Sequence, residues 1–165
     1  MRIHLLIALS GLLLAGSCGS PGKDAADFND DLVELANKCI DRQEALTQTV
    51  KGGDCVKTNA ALKALAKSTQ HALDSLKQIT PGKATEDKNF YEAARKYFTN
   101  LNELAANEYA EYCRLFCKAD SLFTENDELR HAELAKAINR KDSAADAAFE
   151  MAQKRFATKH QINIR

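Results

Sequence analysis

The chain has 165 residues, 45% of them hydrophobic, and its 23 basic residues balance 23 acidic ones. That length suits one domain with its own core. The even charge excludes the basic bias of a nucleic-acid-binding surface.

The first element is an N-terminal segment. Met1-Arg2 precede an apolar run from Leu5 to Ala15, broken only by Ser10 and Gly11. It falls short of the about 20 apolar residues that span a bilayer, but it suits the hydrophobic region of a secretory signal. "LLLAGSCGS" follows, from Leu12 to Ser20. Its Ala15-Gly16-Ser17-Cys18 is similar to a bacterial lipobox, with Ala15 where Leu is usual. This predicts a signal peptide over residues 1–17 and lipidation of Cys18. One acyl chain anchors only marginally, so the two or three carried by a lipoprotein cysteine make attachment lasting. The expected location is the cell envelope, on the outer membrane or cell surface in preference to the inner membrane. The alternative is an ordinary secretory signal with Cys18 an incidental thiol. Residues 18–24, with Gly19, Ser20, Pro21 and Gly22, are expected to form a flexible tether without helix.

Residues 25–165 are expected to fold as one helical domain. Beyond the tether, Gly and Pro occur in only two places, "VKGGDC" and "QITPGKATED". Between them lie long runs of Ala, Leu, Lys, Glu and Gln, all good helix formers. The first predicted helix covers residues 24–50, with a stripe of Phe28, Leu32, Leu35, Cys39, Leu46 and Val50. The second covers 54–79, with Asp54 as N-cap and a stripe through Leu65, Ala72 and Leu76. The third covers 85–118, with Phe90, Ala94, Tyr97, Leu101, Leu104, Tyr112 and Phe116 along one side. The fourth covers 124–160 and opens on "TEND", a capping-box arrangement of Thr124 and Asp127. Leu134, Ile138, Phe149 and Phe156 continue its apolar face. Steps of three and four dominate throughout, and strand-like alternation is absent.

Four amphipathic helices with short connections predict an all-α, antiparallel up-down-up-down four-helix bundle. At about 1.5 Å per residue the rod would be roughly 40–50 Å long. The alternative is a two- or three-helix extended hairpin that dimerises.

Five cysteines are present, and four of them follow Cys18. An even number in an exported domain favours disulfides. In an up-down bundle Cys55 shares one end of the rod with Cys113 and Cys117, so Cys55 pairs with Cys117 or with Cys113. Cys39 lies about 20 Å down the first helix, beyond the about 7 Å Cα separation that a disulfide allows. It has no assigned partner, and the alternative for several of the cysteines is a buried free thiol acting as a small apolar residue.

Signals for chemistry are sparse. Glu128 and His131 in "ELRH" form one E-x-x-H, whereas a di-metal bundle needs two, with further inward carboxylates. "CRLFC" has three residues between its cysteines, not the two of a redox motif. Neither a phosphate loop nor a G-x-S-x-G occurs. The expectation is no enzyme, no cofactor, no metal and no nucleic-acid partner. Of the eleven Phe and Tyr residues, eight fall between Phe90 and Phe123. Tyr109, Tyr112 and Phe116 lie on overlapping faces there, either as a partner-docking surface or as core packing with tyrosine tips in water.

"FNDDLVELANKCIDRQEAL", "LKQITPGKATEDKNFYEAARKYF", "NEYAEY" and "FEMAQKRFATKHQI" together resemble an uncharacterised family of four-helix bacterial surface lipoproteins, of the Bacteroidetes and spirochaete type. The resemblance runs from Phe28 to Ile162. It implies a lipid-anchored helical domain and transfers no catalytic residue; the four later cysteines are not part of its pattern. The leading functional expectation is a non-enzymatic structural or partner-binding module of the envelope. The alternative is a bundle that binds a small apolar ligand or cofactor in its core.

Overall fold

A computed structural model describes residues 21–164, and the side chains from Asp24 onward. Cys18 and the predicted signal peptide lie outside the described residues. Five α-helices follow in chain order: α1 Pro21–Lys51, α2 Cys55–Leu76, α3 Thr85–Ala106, α4 Glu108–Phe116 and α5 Glu125–His160. A 3-10 turn at Asp120–Leu122 precedes α5. The fold is all-α, with no strand among the described residues.

Helix α1 starts at Pro21, so residues 21–23 are helical where the sequence reading expected tether. Proline suits the first helical turn, because its ring presets φ and the missing N–H has no helical partner there. Gly53 ends the α1–α2 turn with a left-handed φ of 71°, which a side chain would strain. Asp54 then caps α2, its carboxylate accepting the Lys57 N–H at 3.0 Å. Helix α2 ends at Leu76, three residues short of the predicted end, and tightens into a turn in which Ile79 N–H reaches the Leu76 carbonyl at 3.1 Å. The Asp87 carboxylate accepts the Ala84 N–H at 3.3 Å at the start of α3. That same carboxylate lies against Gly82, where a Cβ would collide with it.

The predicted third helix is two helices. Asn107 breaks it with φ −113° and ψ −82°. Its N–H still bonds to the Glu103 carbonyl and its carbonyl still takes the Glu111 N–H, at 3.0 and 2.9 Å, so the break is local. Asn is a residue that readily leaves helical geometry. Beyond the break, α4 packs on α2, α3 and α5. Helix α5 opens as predicted: Thr124 Oγ1 accepts the Asp127 N–H, and Asp127 Oδ2 accepts the Thr124 N–H at 2.9 Å. It closes on Gln161 in the left-handed region at φ 56°.

Helix α1 packs on α2, α2 on α3 and α3 on α5, while α1 meets α3 and α5 more sparingly. Side chains tie specific heights together. Ser68 of α2 donates to the Lys38 carbonyl of α1 at 3.4 Å, and Thr69 of α2 donates to Asn102 of α3 at 3.0 Å. The Tyr91 hydroxyl donates to the Leu76 carbonyl at 3.2 Å. Gln153 of α5 donates to Asn29 of α1, and Gln43 of α1 donates to Asp142 of α5, both at 3.0 Å.

The predicted stripes supply much of the core, which also takes in Phe98, Ala105, Cys113 and Leu115 from off the stripes. Leu32, Cys39, Ala72, Leu76, Phe90, Ala94, Tyr97, Leu101 and Phe156 belong to the larger buried cluster. Leu46, Leu65, Ala105 and Cys113 form a smaller one. Phe28, Phe149 and Phe156 surround Phe90, with ring centroids 6.0, 5.4 and 5.2 Å from it. Full burial of each such ring contributes about 1.5–3 kcal/mol, so these four carry a large share of the hydrophobic stabilisation.

Candidate functional site

The cysteines separate into two kinds. Cys55 at the start of α2 and Cys117 just after α4 stand at disulfide distance, with Cα atoms 5.4 Å apart. Cys113, the other candidate partner, is a free buried thiol, and so is Cys39. The two thiols have no exposed surface. Burial pushes both above the usual thiol value, Cys113 to about 11. Cys39 Sγ lies 3.9 Å from Ser68 Oγ, a weak contact between α1 and α2.

Tyr109, Tyr112 and Phe116 are half-buried and do not form an exposed patch. Tyr109 and Tyr112 pack against both core clusters. Tyr112 stacks on His131 of α5, with ring centroids 4.0 Å apart and planes 18° apart. Burial lowers the His131 pKa, while Glu128 of the same E-x-x-H is exposed. The motif spans one helix, and its two side chains serve different surroundings. Among the described residues no three His, Cys, Asp or Glu side chains gather as metal ligands. The strongly exposed large apolar side chains include Val56, Leu122 and Leu129, which follow the α1–α2 turn or flank the α4–α5 connection. Periodicity could not single these out, because each also reads as part of an ordinary helix or loop.

A feature that sequence reading missed is a cleft of about 470 Å³ between α1 and α5, floored by Tyr97 of α3. Its apolar wall includes Val33, Ala36, Ile40 and Phe149. Its polar wall is acidic, with Asp142 and Asp146 on successive turns of α5 and Glu44 and Glu150 also lining it. The buried Gln43 amide donates to both oxygens of Asp142 at 3.0 Å and to the Tyr109 oxygen at 3.4 Å. Burial raises the Asp142 pKa, and Gln43 offsets part of that rise. Burial, then the neighbouring Asp142 charge, raises Asp146.

Tyr97 is 2% exposed, and its hydroxyl finds no partner at hydrogen-bond geometry. Asp146 lies close enough to interact with that hydroxyl, which by itself lowers the carboxyl's own pKa. Burial, and then the charges of Asp146 and Asp142, push the Tyr97 pKa far upward, so the phenol keeps its proton. The signal for this cleft was present as Asp142 and Asp146, four residues apart. Which helix they face is a tertiary fact.

Comparison with family models, with curated proteins and with solved structures yields no match. No helix among the described residues is long and apolar enough to cross a membrane.

Proposed function

We propose that this chain is a bacterial lipoprotein of the four-helix surface type, anchored to the cell envelope through Cys18 and acting there as a non-enzymatic partner-binding module. The observation that carries this reading is the stretch Ala15-Gly16-Ser17-Cys18 after an apolar run of signal-peptide length. A helical domain beginning at Pro21, soon after that cysteine, is in keeping with it.

The domain is read as an up-down-up-down bundle whose third rod is α3 and α4 together. The paired heights support this. Residue 29 meets 153 and 43 meets 142 between α1 and α5, while 76 meets 91 and 69 meets 102 between α2 and α3. In both cases numbers rise on one helix as they fall on the next. In such a bundle the start of α1 and the Cys55–Cys117 pair occupy opposite ends. Val56, Leu122 and Leu129 then belong to the end away from the anchor, where an envelope protein would meet them. The Cys55–Cys117 pair, with Cα atoms 5.4 Å apart, supports a disulfide and so the reading that the domain is exported to an oxidising compartment.

Metabolic labelling with a fatty acid tests the anchor. Label is expected on the wild-type chain and not on Cys18→Ala; equal labelling of both overturns it. Crosslinking in native membranes followed by mass spectrometry tests the partner. Crosslinks that map to Val56, Leu122 and Leu129 are the expected result, and crosslinks confined to other faces refute that placement.

A further inference from the structure

We propose that the flank formed by the start of α3 and the end of α5 docks on an anionic membrane surface, its exposed lysines and arginine set against phosphate headgroups. This rests on the reading of Cys18 as a lipid anchor, and it adds to that reading the side of the domain that the membrane meets.

Packing brings the relevant segments together. Phe28 of α1 meets both Phe90 of α3 and Phe156 of α5, and Asn29 meets Gln153. From there toward the start of α3, numbers fall from Tyr97 to Asp87 while their partners on α5 rise from Phe149 to His160. The His160 ring pairs with the buried Asp87 carboxylate and ties the end of α5 to the start of α3. Tyr91 does the same for the end of α2, through the Leu76 carbonyl. The start of α1 therefore lies beside the start of α3 and the end of α5. Cys18 precedes Pro21 by three residues, which span at most about 11 Å. A lipid on Cys18 holds these segments at the headgroups.

Charge supplies the complementarity. Residues 77–88 and 154–164 hold Lys77, Lys83, Lys88, Lys154, Arg155 and Lys159, against only Glu86 and Asp87. Asp87 is already taken by His160. Lys77 and Lys154 pair with Asp74 and Glu150, each within one turn of its own helix. Lys83, Lys88, Arg155 and Lys159 are exposed and form no salt bridge among the described residues. Acidic residues cluster instead on α1, where Asp24, Asp27, Asp30 and Asp31 are exposed. With the two signs segregated, an anionic surface attracts one flank and repels the other, and the domain tilts about its tether.

The same flank has an apolar component. Arg155 and Lys159 line a shallow groove together with Ala147, Ala148, Met151 and Glu86. Met151 is 54% exposed. Long basic side chains beside an exposed apolar one suit a headgroup layer, where charged tips meet phosphate and alkyl stems lie against lipid. Attraction between exposed charges and such a surface reaches only about 8 Å at physiological salt. A freely diffusing chain would feel it briefly, whereas the short tether brings this flank into that range and holds it there.

The test reconstitutes the acylated chain in vesicles of phosphatidylcholine alone, and in vesicles of phosphatidylcholine and phosphatidylglycerol in equal parts. Lysine acetylation by a neutral reagent is then followed residue by residue by mass spectrometry. Lys83, Lys88 and Lys159 are expected to react about threefold or more slowly on the anionic vesicles, with Lys51 and Lys136 reacting alike on both. Salt at about 0.5 M should abolish the difference. Arg155→Glu with Lys159→Glu, both at exposed positions, should restore the reaction of Lys83 and Lys88, and far-UV circular dichroism confirms that this variant folds. Flotation with the phosphatidylcholine vesicles reads the anchor alone, since it needs no charge. A chain that floats but whose lysines react equally on both vesicles keeps the anchor and overturns the docking flank. Uniform slowing of every lysine overturns it too, as does protection of Lys83 and Lys88 that persists in the folded variant. A chain that carries no acyl group and fails to float overturns the anchor reading and the docking flank with it.

Discussion

Phe90 shows what a single side chain does here. It has no exposed surface and is enclosed by Phe28, Phe149 and Phe156, which come from α1 and α5. Truncation would leave a cavity that three rigid rings cannot collapse into. Phe90→Ala is therefore expected to cost about 3–5 kcal/mol, measured as a shift in the urea unfolding midpoint at unchanged slope. The position was legible, because Phe90 falls on a stripe of apolar residues at helical spacing. The free thiols make the second residue-scale prediction. Cys39 and Cys113 are buried, and burial holds both thiols protonated. The thiolate is the reactive form. In a Cys18→Ala background without reductant, Ellman's reagent at pH 8 is expected to find no thiol in the folded chain and two after unfolding. Rapid reaction of the folded chain would refute the burial of both. The sequence left Cys39 unassigned, and its role is that of a small apolar residue between α1 and α2.

At the scale of elements, α5 carries the conflict that makes the cleft. Its Asp142 and Asp146 turn toward α1 although burial disfavours their charge. Both carboxyls have folded-state pKa values above their unfolded ones, so the folded chain holds protons more readily than the unfolded chain. The penalty is complete above the folded pKa values and vanishes below the unfolded values, near pH 4. Asp142→Asn with Asp146→Asn is therefore expected to be more stable than wild type at pH 7. That advantage should close as the pH falls below about 4, read from urea unfolding at each pH. Equal stability at pH 7 would mean that the carboxylates are already compensated. Element ends were more legible than element faces. Asp54 and Thr124 cap α2 and α5 as their local sequence predicts, because caps depend on three or four neighbouring residues. The break at Asn107 was not legible, since neither Gly nor Pro marks it and the only local sign is that the apolar stripe skips from Leu104 to Tyr112.

For the molecule as a whole, the Cys55–Cys117 pair joins residues 62 positions apart, one at the start of α2 and one just after α4. A cross-link restricts the unfolded chain more as its loop lengthens, and for a loop of this length the stabilisation is about 4 kcal/mol. Cys55→Ser with Cys117→Ser is expected to lower the unfolding free energy by up to about that amount while keeping the helical spectrum. Intact-mass analysis of the wild-type chain, alkylated before reduction, should show one disulfide. Cys113 was an equal candidate in sequence, being four residues away on the same predicted helix. Helix α4 ends at Phe116, with Cys117 just beyond it at a Cα separation of 5.4 Å from Cys55, while Cys113 within α4 is buried.

Composition and periodicity were enough to determine that this chain is helical, where its Gly and Pro breakers fall, much of what lines its core and which segment carries the candidate anchor. Those properties are local: a cap, a turn or an apolar stripe is written within a few consecutive residues. The tertiary structure alone decided which cysteine faces Cys55, that Tyr109 and Tyr112 pack inward, and that Tyr97, Asp142 and Asp146 share one cleft. Those are contacts between residues far apart in the chain. They depend on how each helix is rotated about its axis and on where the chain breaks between α3 and α4, and neither is encoded in any one stretch of sequence.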